Sequence, residues 1–372
     1  MNSTQKGIKG EGSLKIMAEP ITTLDEFEAE YKKGIGVEID LDKQLFLTEA
    51  SRDNIRNFAD AIGDNNPLWL DEEYARKSRF GMITAPPTFL YNVNHGSLPS
   101  AIGTIALPIH NQTHLYAGAE FEFFQPIWLG DKFSVKGKPV SVVRKPSKSV
   151  GTMLFVTGEA SYFNQRKEMI GIIRTITCRY VIPGVQAIGS GSDRKARPDV
   201  VGKSPDLLAF ERTRRGAEPR YWEDIEVGEE MTPLEKGILT MTEIYRFGLF
   251  VSPSPRRIEC RRETMELGFE REAFQKRSGL EDATDYGPQR ICWVGQFLTD
   301  WMGDDGTLKK FSVQIRYPNI IGDINVVKGK VTGKYIRDGE HLVDCEMRVE
   351  NQAGLITAPG KATIALPSKG SI

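Results

Sequence analysis

At 372 residues the chain exceeds the comfortable size of one hydrophobic core, so two domains are expected. Apolar residues at 40% and charged residues at 27% describe an ordinary globular composition. Lys plus Arg at 49 against Asp plus Glu at 50 leave a net charge of -1, which gives no support to a nucleic-acid surface or a polybasic membrane anchor.

The N-terminal stretch "MNSTQKGIKGEGSLKIMAEP" has no apolar h-region, so no signal peptide is expected. No run approaches ~18 apolar residues, so no spanning helix is expected either, and the expected location is cytoplasmic. The first strong element is "SRDNIRNFADAI", where Ser51 reads as an N-cap and Ile55, Phe58 and Ile62 recur at helical spacing until Gly63 ends the pattern. A polar turn follows, presenting Asp64, Asn65 and Asn66, with Trp69 one turn further on.

An internal repeat comes next. "FEFFQPIWLGDKFSVKGK" and "VQIRYPNIIGDINVVKGK" align with Pro126 on Pro318, Gly130 on Gly322 and Asp131 on Asp323, each pair 192 positions apart. Both copies read as strand, Pro-containing break, Gly-Asp turn and strand, with the alternation of half-buried antiparallel pairs. The strands "LFVTGEASYFNQ" and "LVDCEMRVENQ" also correspond, each leading to a last strand. The breaker-rich stretch "PGVQAIGSGSDRKARPDVVGK" reads as the start of a linker. The expected domains are therefore 20–183 and 220–369, joined by a linker over 184–219. In the second, "TMTEIYRFGLF" has the helical character of the first, with Thr240 or Thr242 as cap. One early helix and several late antiparallel strands, twice over, is an α+β design. Such a duplication generates a cleft between halves where ligands often sit.

Cys178, Cys292 and Cys345 lie in apolar or alternating surroundings that suit reduced, packed thiols. The four histidines show no metal-ligand spacing, so no metal is expected.

The stretch "FADAIGDNNPLWLDEEYARKSRFGMITAPPTFL" resembles the hydratase motif of MaoC-like, (R)-specific enoyl-CoA hydratases, whose pattern is Gly-Asp-x-Asn-Pro-(Leu/Ile)-His followed by Asp, Tyr-Ala and Phe-Gly-x-Ile-Ala-Pro. The matches are Gly63, Asp64, Asn66, Pro67, Leu68, Asp71, Tyr74, Ala75, Phe80, Gly81, Ile83, Ala85 and Pro86. The resemblance implies a double hot dog fold, two antiparallel sheets each wrapped around a helix. It also implies a CoA thioester as substrate, no separate cofactor, and pairing as a homodimer or with a related hot dog chain. Carried over residue by residue, it puts the catalytic base at Asp64 and gives Asn66 a turn-closing role. It sets Asn66, Trp69, Gly81, Ile83, Ala85 and Pro86 along the substrate path. The stretch "YGPQRICWVGQFLTDWMGDDG" resembles the second half of the two-domain members, where it is expected to pack along the central helix.

The motif's His position is Trp69 here, and an indole N–H is a donor with no usable base. Tyr116 and His114 share a strand face and either could supply the missing polar group, against the alternatives of a half-buried strand aromatic and a loop histidine. In the second half "LFVSPSPRRIE" stands where the turn would be, with Arg256 and Arg257 and neither Asp nor His. Three readings remain: an acyl-CoA hydratase or dehydratase with Asp64 as base, a non-catalytic thioester-binding module or partner subunit, and a hot dog thioesterase.

Overall fold

The computed structural model describes residues 23–94, 112–147, 151–181, 214–251 and 284–370. In the first repeat, helix α1 (Leu24–Lys33) and strand β1 (Ile39–Asp40) precede helix α2 (Arg52–Ile62), and the short helices α3 (Pro67–Leu70) and α4 (Glu72–Lys77) follow. Strand β2 (Thr84–Ala85) and helix α5 (Leu90–Asn94) lead to β3 (Gln112–Phe123), β4 (Ile127–Trp128), β5 (Ser134–Ser147), β6 (Gly151–Phe163) and β7 (Met169–Val181). The second repeat comprises β8 (Glu230–Ile238), α6 (Met241–Phe250), α7 (Gly287–Met302), β9 (Thr307–Gln314), β10 (Ile324–Arg337), β11 (Glu340–Asn351) and β12 (Ile356–Ala365).

Ten strands make one antiparallel sheet in the order β1-β5-β6-β7-β3-β9-β12-β11-β10-β8. The repeats meet at its centre, where β3 pairs with β9 from Gly118 opposite Gln314 to Glu122 opposite Lys310. Across that seam Phe121 and Phe311 stack with centroids 4.6 Å apart, a face-to-face apolar contact that joins the two cores. The architecture is the α+β double hot dog.

The capping chemistry of α2 is as the sequence reads: Ser51 accepts from the Asn54 N–H, and Gly63 ends the helix with φ of 67°. Thr240, not Thr242, caps α6, in a reciprocal capping box with Glu243. Two expectations need correction. α2 and α6 are not the wrapped helices; they pack on one another. The wrapped helix of the second repeat is α7, buried from Pro288 to Met302 and packed against β3 and β8 to β11. Its apolar residues have no single-face pattern because no face meets water. The second correction concerns β3 and β5, which flank the Pro and Gly-Asp break without pairing with each other; β5 lies beside β6 and β3 beside β7. The break instead sends β4 to pair with β2, which ties the repeat to the motif segment.

The repeat is chemical as well as topological. Asp131 accepts from the Trp128 N–H at 2.8 Å, and Asp323 from the Ile320 N–H at 2.8 Å. Gln165 and Gln352 in turn accept from Lys132 and Ile324 N–H, each at 2.9 Å. Gly130 and Gly322 take φ of 86° and 89°, the left-handed region that favours glycine. Residues 184–213 and Arg256 and Arg257 lie outside the described residues.

One side chain of the second repeat reaches across to the first. The Lys236 ammonium on β8 donates to the Ile62 carbonyl at 2.9 Å and the Gly63 carbonyl at 3.2 Å, and to Gln296 Oε1 of α7 at 2.8 Å. Carbonyls at a helix C-terminus lack intrahelical donors and carry partial negative charge, so a cation there satisfies both needs. Burial nevertheless pulls the Lys236 pKa down from 10.5 to about 8, against the opposing pull of Asp64, Asp300 and Glu243.

Two measurements follow from this architecture. A Cβ at Gly130 or Gly322 would meet no atom within 4 Å, so Gly→Ala at either costs only the backbone strain, about 1–2 kcal/mol each by urea unfolding. Between pH 8 and 10.5 the folded chain holds fewer protons on Lys236 than the unfolded chain does, so stability rises with pH across that window. Unfolding curves across it should show the native protein gaining up to about 3 kcal/mol relative to Lys236→Met, whose own curve lacks that rise.

Candidate active site

The turn after α2 is held by its own side chains. Asp64 Oδ1 accepts from the Asn66 N–H at 3.0 Å, and Asn66 Oδ1 from the Leu68 N–H at 3.0 Å, which caps α3 with Pro67 at its first position. Asp71 caps α4 by accepting from Glu73 and Tyr74 N–H. Motif residues then fasten the turn to the end of α7: the Tyr74 hydroxyl donates to Asp304 at 2.6 Å, and Arg79 donates to the carbonyls of Asp304 and Gly306.

Asp64 is only 2% exposed. Its Oδ2 accepts from Trp69 Nε1 at 3.0 Å, so the indole occupies the place of the motif's His and takes up its hydrogen-bonding position as a donor. Burial raises the Asp64 pKa, opposed by the Asn66 and Trp69 donors and by the charges of Lys236 and Arg214.

Three groups that the sequence reading did not single out come from the second repeat. Gln296 donates to the Gly63 carbonyl at 3.1 Å and accepts from Lys236. Asp300, one turn along α7, is 3% exposed, and burial followed by the Asp64 charge holds its pKa well above the carboxylate range. Lys236 and Arg214 act on both carboxyls as opposing charges. The signal that could have found them is the i, i+4 pair Gln296 and Asp300, polar residues on one face of an otherwise apolar helix.

Beside Trp69 opens an apolar cleft of about 160 Å³ between the repeats, bounded by Phe80, Ile127, Met302 and Leu308. Of the expected substrate-path residues, Asn66, Trp69 and Ala85 line it. Ile83 is buried outside that lining, as is Pro86, while Gly81 is exposed in a turn with φ of 69°. Tyr116 is not brought to Asp64. It hydrogen-bonds the Tyr91 hydroxyl and packs against Gly287, at the opposite end of α7 from Asp300. His114 lies in β3, but its side chain is outside the described residues. Among the described residues no three of His, Cys, Asp and Glu gather in a metal-binding group.

Residues 35–172 match the family of the FAS1-like dehydratase domain region. A probable enoyl-CoA hydratase alpha subunit of Thermomonospora curvata is 30% identical over 138 residues, covering 34% of this chain and 43% of that protein. The first curated relatives matched are spanned over only 58% to 62% of their length. Two solved structures show the fold: a MaoC-like dehydratase, TM-score 0.66 at 18% identity, covering 91% of this chain and all of that one; and a Mycobacterium tuberculosis protein described as having a double hotdogfold, TM-score 0.59 at 12% identity, covering 91% and 98%. The seam between repeats and these structural matches agree on the double hot dog fold, and the match to the FAS1-like dehydratase domain region falls in the first repeat, which carries the motif turn.

Proposed function

We propose that the chain is a hydratase or dehydratase acting on a 2-enoyl or 3-hydroxyacyl CoA thioester, with Asp64 as the base. The observation that carries this reading is a buried carboxylate of raised proton affinity, set in a turn that keeps the motif's Gly-Asp-x-Asn-Pro-Leu run beside an apolar cleft. Desolvation brings a carboxylate toward the working pH, where it exchanges protons most effectively. In the hydration direction Asp64 takes a proton from water and the water oxygen bonds to C3. The C2–C3 π pair moves to the thioester oxygen as an enolate, and C2 then takes up the proton. Water thus supplies both hydrogen and hydroxyl to the product. The cleft accommodates the acyl chain, with Trp69 as its aromatic wall, and the family resemblance points to pairing with a second hot dog chain.

One observation favours a second reading, a thioester-binding or partner subunit without turnover. Asp64 is not in the cleft lining, and Trp69 stands between the carboxylate and the cleft.

Purified protein incubated with crotonyl-CoA and with longer and branched enoyl-CoAs, followed by loss of absorbance of the conjugated thioester, separates the two. Under the hydratase reading at least one substrate turns over, and Asp64→Asn lowers kcat by about 10²-fold or more. Trp69→His, which restores a base beside Asp64, raises kcat about tenfold or more under the hydratase reading. Absence of turnover by the native protein on every enoyl-CoA, with stable association to a His-containing related chain, establishes the second reading.

A further inference from the structure

Residues 296 and 300 are one turn apart on α7, so they share a face, and Asp304 follows just past the helix end at Gly303. The first contact of that face is with the hydratase turn, through the Gln296 amide on the Gly63 carbonyl at 3.1 Å. Beyond the helix end, Asp304 accepts from the motif's Tyr74 hydroxyl at 2.6 Å. Asp300 stands between these two anchors and therefore faces the same turn. Its neighbour Thr299 lines the cleft together with Asn66 and Trp69, so the two buried carboxyls lie behind the same stretch of wall, one from each repeat. No donor among the described residues hydrogen-bonds the Asp300 side chain, whereas both oxygens of Asp64 have donors.

We propose that Asp300 is the second acid of this site, sharing one proton with Asp64 across the repeat interface and so setting the charge state in which Asp64 works. This rests on the hydratase reading. Asp300 is a positioning residue: it acts on the substrate through Asp64. Two buried carboxyls that feel each other's charge cannot both ionise cheaply, so one stays protonated while the other serves as base. The Lys236 ammonium, bonded to Gln296 and Gly63, keeps the ionised member stable, and Arg214 adds a second positive charge. Glu243 and Arg246 act on Lys236 with opposite signs. The direction of the Asp300 shift, well above the carboxylate range from burial and then from Asp64, agrees with this assignment. The arrangement places in the second repeat what the family's turn keeps in the first, a partner for the Asp.

The test is a pH titration read in two ways. The infrared carbonyl band of protonated carboxyls, recorded on the whole chain without substrate, should titrate in two coupled steps in the native protein. In Asp300→Asn it should collapse to one step about one pH unit or more lower, because the like charge beside Asp64 is gone. Asp300→Glu should restore both steps, which a packing defect would not do. On an enoyl-CoA that turns over, the acidic limb of kcat/KM should move to lower pH by the same amount in Asp300→Asn and return in Asp300→Glu. An infrared titration unchanged by Asp300→Asn in protein with native circular dichroism overturns the proposal. The expected infrared shift with no turnover on any enoyl-CoA leaves the proton-sharing pair standing and overturns the hydratase reading instead.

Discussion

The ammonium of Lys236 is the point on which the interface between repeats depends. It enters from an edge strand of the second repeat and ends on the last carbonyls of α2 in the first, where the helix has exhausted its own donors. Gln296 completes the junction from the wrapped helix, bonding both the ammonium and the Gly63 carbonyl. The contact ties the end of α2, set by Gly63, to the second repeat, and the turn that carries Asp64 starts from that end. A buried cation is costly unless paired, and here carbonyl oxygens and nearby carboxyls offset that cost. Structural and chemical roles therefore converge on one side chain.

Around that junction the site is built with unequal contributions. The first repeat supplies the turn, with Asp64 held by a backbone donor and an indole donor. The second supplies charge and a lid of helix: Lys236, Gln296 and Asp300. Trp69 joins the two aspects of the cleft, since its ring lines the apolar side while its N–H faces the polar one. A tryptophan is well suited to such a boundary, with a broad apolar body and one donor. It is unsuited to the role of its family counterpart, because it cannot accept a proton.

What could be read from the sequence was whatever is specified locally. The cap at Ser51, the end of α2 at Gly63 and the paired Gly-Asp turns all rest on side chains acting within a few residues of themselves. The constant offset of the repeat carried the duplication, and the motif residues carried the resemblance to a dehydratase region that the first repeat matches. Strand pairing was less legible because β3 and β5 are neighbours in sequence and strangers in the sheet; nothing in their alternation says which strand each will meet. α7 was obscured by its own completeness of burial, since a helix buried on all sides has no water-facing stripe to set against its apolar residues. The second-repeat residues around the Asp64 turn come from positions 236, 296 and 300, which no local rule connects to a turn at 64. The expectation that Tyr116 could supply the missing polar group rested on its strand face, whereas the strand delivers its hydroxyl to Tyr91.

The seam between β3 and β9 has an evolutionary consequence. Two identical hot dog subunits related by a two-fold axis would carry every substitution twice, once in each copy of the interface. A single chain that encodes both halves and joins them through one continuous sheet is released from that symmetry. A change in one half need not be tolerable in the other. Such a molecule can keep the hydratase turn in one repeat, let the corresponding segment of the other diverge, and recruit the freed positions to serve the remaining turn. Lys236, Gln296 and Asp300 are what that freedom looks like in this chain: residues that make sense only because their mirror images were never required.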